Sequence, residues 1–74
     1  MICIEFSTEN ENSYLVNVVE KKIKQVVKTG VIQPEATWID YHELIGGKVG
    51  ESITIVWSQD QTTVSSPIKT LKFV

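Results

Sequence analysis

The side chains best suited to chemistry lie late in the chain. Trp57 ends an alternating run, and Thr62, Thr63, Ser65 and Ser66 follow across a polar break at Gln59-Asp60-Gln61. An indole is a stacking plate, and hydroxyls both donate and accept, so this set suits a planar, polar ligand such as a nucleotide. Hydroxyls and backbone N–H groups would hold a phosphate, with Lys48 or Lys69 supplying charge, and Trp38 and Tyr14 are the other rings able to join the site. The competing reading is plain: aromatic rings on a small sheet most often fill its core, and a polar edge strand carries the same hydroxyls.

Other candidate chemistries are thinner. His42 is the sole histidine, and on a strand Asp40 shares its face while Glu43 points to the other, so no base is oriented by a carboxylate pair. Ser65 and Ser66 lack the strand-turn-helix elbow of a serine nucleophile. The expectation is a chain that is not an enzyme. Cys3 is the only cysteine, which excludes an internal disulfide and, with one histidine, leaves too few ligands for a zinc site. Glu9 and Glu11 beside Asn10 and Asn12 lack the glycine and terminal glutamate of a calcium loop. Gly46-Gly47-Lys48-Val49-Gly50 lacks Walker spacing and reads as a turn. No cofactor or metal is expected.

The elements that must position these residues read mostly as strands. Ile53, Ile55 and Trp57 alternate with Thr54, Val56 and Ser58, and the chain returns through Thr62 to Ser66 until Pro67 removes a ladder donor. Ile2, Ile4 and Phe6 alternate against Cys3, Glu5 and Ser7 before a polar turn. Thr37, Ile39 and Tyr41 alternate with Trp38, Asp40 and His42 as a further strand, with a short helix opening at Pro34-Glu35 as the alternative. In the last run, Ile68 to Val74, Leu71 and Phe73 are expected to enter the core and Lys72 to stay in water.

The stretch from Tyr14 to Lys28 is ambiguous. As a helix, Leu15, Val19, Ile23, Val26 and Val27 form one stripe, with Glu20 and Lys24 at a favourable spacing. As a hairpin, Tyr14, Val16 and Val18 share a face, Glu20-Lys21-Lys22 turns, and Ile23 to Val27 returns; the many β-branched residues and the absence of alanine favour this. Composition alone leaves both open.

Asn12-Ser13-Tyr14 through Lys24, Val49-Gly50-Glu51-Ser52 through Trp57, and Thr62-Thr63-Val64-Ser65-Ser66-Pro67-Ile68 together resemble a class of small phage and prophage proteins. In that class a Ser-x-Tyr hairpin precedes a Val-Gly strand ending in Trp and a Thr/Ser-Ser-Pro tail. The resemblance implies a hairpin at Tyr14 to Val27, and so an all-β fold. That fold is a small antiparallel barrel or roll of about five to six strands; an α+β chain with a helix over 14–28 is the alternative. The class is more basic where this chain has Lys24-Gln25, which counts against phosphate binding there.

At 74 residues the chain is one small domain spanning 1–74, a size that often relies on partners for stability, so a homo-oligomer is expected. Leu15, Val19, Val26 and Val56 are the apolar residues left for a second face. Seven lysines, no arginine, nine carboxylates and a net charge of -2 argue against a DNA or RNA duplex as partner. No apolar run reaches the length of a membrane span, and the start does not read as a signal peptide, so the expected location is the cytoplasm of a bacterial host. The functional expectation is a non-catalytic binding protein that counteracts host defence by sequestering a small ligand such as a cyclic nucleotide signal. The alternatives are a protein inhibitor of a host enzyme and a structural phage accessory.

Overall fold

Every regular element among the described residues, 3–74 in the computed structural model, is a strand, so the hairpin reading of Tyr14 to Lys28 holds and the helix does not. Strands β1 (Cys3–Thr8), β2 (Ser13–Asn17) and β3 (Lys22–Lys28) form an antiparallel meander. The short strands β4 (Val31–Ile32) and β5 (Ile39–Asp40) both pair with β3, and β9 (Ile68–Phe73) pairs with β1, giving a six-stranded sheet. A second sheet has the order β6 (Glu43–Ile45), β7 (Thr54–Ser58), β8 (Gln61–Val64). The expected participation of Ile2 in the first strand falls outside the described residues.

Turn chemistry explains the meander. Asn17, almost fully buried, accepts hydrogen bonds at Oδ1 from the N–H groups of Val19 and Glu20 at 3.1 and 3.0 Å. Such an Asx turn competes with helix continuation and reverses the chain. The loop therefore runs from Val18 to Lys21, two residues earlier than the Glu20-Lys21-Lys22 turn expected, and Lys22 already belongs to β3. Val19 is in that loop and 73% exposed rather than on a sheet face, whereas Leu15, Val26 and Val56 are half-buried. Thr29 and Gly30, both at positive φ, make a tight two-residue turn into β4.

The expected strand over 37–42 is divided. Ile39–Asp40 pair with β3 and Glu43–Ile45 with β7, and the chain changes sheets between them. Tyr41 donates its N–H to Lys21 O at 3.1 Å and His42 donates to Val56 O at 2.8 Å, so this corner is hydrogen-bonded to the loop leading into β3 and to β7 of the second sheet. Pro34-Glu35 opens a turn, not a helix. A second corner lies at Ser65 to Ile68: Ser65 N–H donates to Ile53 O, Ile68 N–H to Glu51 O, and Gly50 N–H to Ile68 O. Pro67 thus separates β8 from β9 as expected. The two sheets, joined at both corners, form an antiparallel roll.

Phe6, Val16, Ile23, Tyr41, Ile53, Ile55 and Ile68 fill the space between the sheets. Each fully buried aliphatic or aromatic side chain contributes about 1.5–3 kcal/mol of transfer free energy. Leu71 packs against this core as expected; Phe73 does not enter it and is 76% exposed. The glycine turn from Gly46 to Gly50 is an ordinary one, with Gly46 at φ 104, where a Cβ would stand 3.0 Å from Ser52 O.

Candidate functional site

Gln59 and Asp60 connect β7 to β8, and neither has the positive φ of the hairpin turns that match strand twist. The ladder compensates by slipping: Val56 faces Thr62 but Ser58 faces Gln61, leaving Trp57 as the extra residue of a bulge. A bulge re-aims its side chain. Here it presents the indole, half-buried, at one mouth of the roll, where Nε1–H donates to Thr63 Oγ1 at 2.8 Å.

The sheet opposite supplies the other wall. Tyr14 stacks on the core residue Phe6 with centroids 5.0 Å apart, and Gln25 lies across the ladder from it. Tyr14, Lys24, Gln25, Ile39, Trp57 and Thr63 line a cleft of about 230 Å3 that has Ile23 and Ile55 behind it. Burial pushes the Tyr14 hydroxyl above its ordinary pKa, and Gln25 Nε2–H donates to it at 3.5 Å. Outside the cleft is a broad depression of about 720 Å3 between Ile39-Asp40 and the stretch Asp60 to Thr63, again walled by Trp57. A third hollow, with His42, Gln59 and Asp60, shares the same indole.

The structure therefore brings together Tyr14, Trp57, Thr62 and Thr63 of the residues singled out by sequence. Trp38 stands apart on β5's N-terminal flank, where the Lys24 ammonium sits 4.7 Å from its ring centroid; Lys24 is the link between that ring and the cleft. Ser65 is committed to the corner, accepting from Ile53 N–H at 3.1 Å and donating to the Ser66 carbonyl at 2.8 Å, so neither serine lines the cleft. Lys69 is the bulge residue of β9 and Lys48 belongs to the glycine turn, and neither reaches the cleft.

Sequence reasoning missed four wall residues. In sequence, Lys24 and Gln25 are a departure from a basic pattern, and Asp40 and Asp60 read as strand and turn residues. No periodicity signals that a corner strand and a hairpin tip converge, and a turn centred on Lys21 sets Tyr14 opposite Lys28, three residues from its actual partner Gln25.

Electrostatically the site is split. Asp40 and Asp60 flank the outer depression, with Lys22 3.9 Å from Asp40, while Lys24 borders the inner cleft with its ammonium turned away over Trp38. Among the described residues there is no group of three or more His, Cys, Asp or Glu placed to hold a metal, and no helix long and apolar enough to cross a membrane. No family model matches the chain, and neither a curated protein nor a solved structure is significantly similar to it.

Proposed function

We propose that this chain is a non-catalytic binding protein whose Trp57 mouth takes a planar ligand of the nucleotide class. The observation that carries the reading is a partly exposed indole, locked by Thr63, that walls three adjoining hollows. Stacking on a fixed ring contributes about 1–3 kcal/mol per base. Charge sets the orientation of the base: its exocyclic amino groups turn toward the carboxylates of Asp40 and Asp60, and Tyr14, Gln25 and Thr63 offer polar groups in the inner cleft. Binding without catalysis, together with the resemblance to small phage and prophage proteins, supports sequestration of a host nucleotide signal, cyclic nucleotides included, as the biological role. The test is to denature the purified protein and look for released material absorbing near 260 nm, and to measure melting temperature against a panel of linear and cyclic nucleotides. A rise lost in Trp57→Ala supports the proposal; no release and no shift across the panel sinks it.

A second reading draws on a different flank. Val31 and Ile32, on the short strand β4 beside β3, are 61% and 73% exposed, an apolar pair offered to a protein partner. Stoichiometric capture of one host protein, abolished by Ile32→Lys, would favour inhibition of that protein.

A further inference from the structure

The strands at the sheet margins are not alike. Strand β9 carries Lys69 and Lys72, and its Ile68 is already hydrogen-bonded on the outer side by Gly50 and Glu51. Strand β6 has three residues and includes Glu43, and β4 and β5 have two residues each. Charged, occupied or very short edges are the usual protection against unwanted pairing. Strand β8 has none of these: Gln61, Thr62, Thr63 and Val64 are all exposed and uncharged, and three of the four are β-branched.

We infer that β8 is a homodimer edge, pairing antiparallel with the β8 of a second copy about a two-fold axis at Thr63. Backbone alternation fixes the register. Ser65 N–H donates to Ile53 O and Ile55 faces Thr63, so Thr63 directs its N–H and C=O to β7 while those of Thr62 and Val64 point outward. A two-fold axis normal to a sheet sets one residue opposite its own copy. Centred on Thr63, it lets Thr62 exchange two hydrogen bonds with the partner's Val64 and Val64 two with the partner's Thr62. Centred on Thr62, it would need the turn residue Asp60 in the ladder.

Self-pairing suits this edge because no charge meets its own kind. Thr63 faces the partner's Thr63 and Thr62 faces the partner's Val64, both favourable cross-strand combinations. The dimer also completes the site described above. Thr62 and Thr63 line the depression beside Trp57, so the partner's β8 closes its open side and brings two Trp57–Thr63 units to the axis. The interface stands whether or not the mouth takes a nucleotide.

Sedimentation velocity over a wide concentration range, up to about 1 mM, tests it. The average mass should rise from 8.3 kDa toward twice that value. Val64→Lys places a charge on the outward face, and Thr62→Pro removes an outward donor that β7 does not use; each should hold the mass at the monomer value with unchanged far-UV circular dichroism. Should Thr62→Pro lose its spectrum, Val64→Lys alone decides the point. Lys69→Glu, on the other edge, should leave dimerisation unaltered. Thr63→Cys should cross-link under mild oxidation, because facing Cα atoms in a non-hydrogen-bonded pair lie about 4.5 Å apart, within disulfide reach. Cys3 is buried and stays out of that reaction. A monomer at every concentration overturns the inference, as does a dimer that survives Val64→Lys, or a dimeric Thr63→Cys sample that does not cross-link.

Discussion

Thr63→Val isolates the device that orients the candidate plate. The substitution keeps a β-branched side chain of the same shape on an exposed strand and deletes one hydrogen bond, Trp57 Nε1–H to Thr63 Oγ1 at 2.8 Å. An intramolecular hydrogen bond nets about 0.5–1.5 kcal/mol, and in this solvent-accessible position the low end, about 0.5 kcal/mol, applies. Unfolding entropy of about 2.1 cal/mol/K per residue means that each kcal/mol moves the Tm of a chain this size by about 6 °C. The expected fall is therefore small, about 3 °C, read from thermal circular dichroism. The effect on the ring should be larger in kind. With its anchor gone the indole regains rotameric freedom, and re-ordering such a side chain on binding costs about 0.5–1.5 kcal/mol, or roughly 2- to 12-fold in affinity for any ligand that stacks on it. Indole N–H exchange measured by NMR supplies a ligand-free readout: one of the two indole protons, Trp57's, should exchange faster in the variant while Trp38's is unaltered. A fall in Tm above about 10 °C would refute the assignment of this bond to the surface, and an unchanged Trp57 exchange rate would refute its role in holding the ring.

Ile55→Ala empties a fully buried core position and should cost about 2–5 kcal/mol, lowering Tm by more than about 12 °C in the same thermal assay. Asn17→Ala removes both acceptor bonds of the Asx turn and should cost about 1–2 kcal/mol, with denaturant midpoint reduced and slope unchanged. Alkaline titration should destabilise the fold: burial raises Tyr14 and Tyr41 above their ordinary value near 10, so the unfolded chain loses these protons first. The stability they confer is complete below pH 10 and is lost as pH rises through the folded values, and Tyr14→Phe should weaken that dependence in urea melts between about pH 9 and 12.

Much of the roll was legible because its central strands obey a two-residue period. Ile53, Ile55 and Trp57 face inward as their alternation implies, and the β-branched content of Tyr14 to Val27 gave the hairpin once its resemblance was weighed. What escaped depends on backbone geometry. The helix stripe through Val19 dissolved because Asn17 captures two N–H groups, a local bond that outweighs periodicity. Ile39 and Tyr41 alternate correctly, yet a strand that serves two sheets looks like one strand until its partners are known. The site was half legible for the same reason: Trp57, Thr62 and Thr63 lie on one hairpin, whereas Lys24, Gln25 and Asp40 join them only through the roll. Ser65 carries a suitable hydroxyl, and the corner had already engaged it.

The corner at Tyr41-His42 has a bearing on how the molecule comes apart. Two successive amides bind different parts of the roll, Tyr41 to Lys21 at the end of the loop leading into β3 and His42 to Val56 of β7, and the Tyr41 side chain is buried in the core. Peeling away either sheet breaks one of these bonds and exposes the same ring to water, so partial opening forfeits stabilisation on both sides at once. The expected consequence is that sub-global unfolding is suppressed, and hydrogen exchange should then show amide protection at Tyr41 and His42 that tracks the global free energy rather than a local fluctuation.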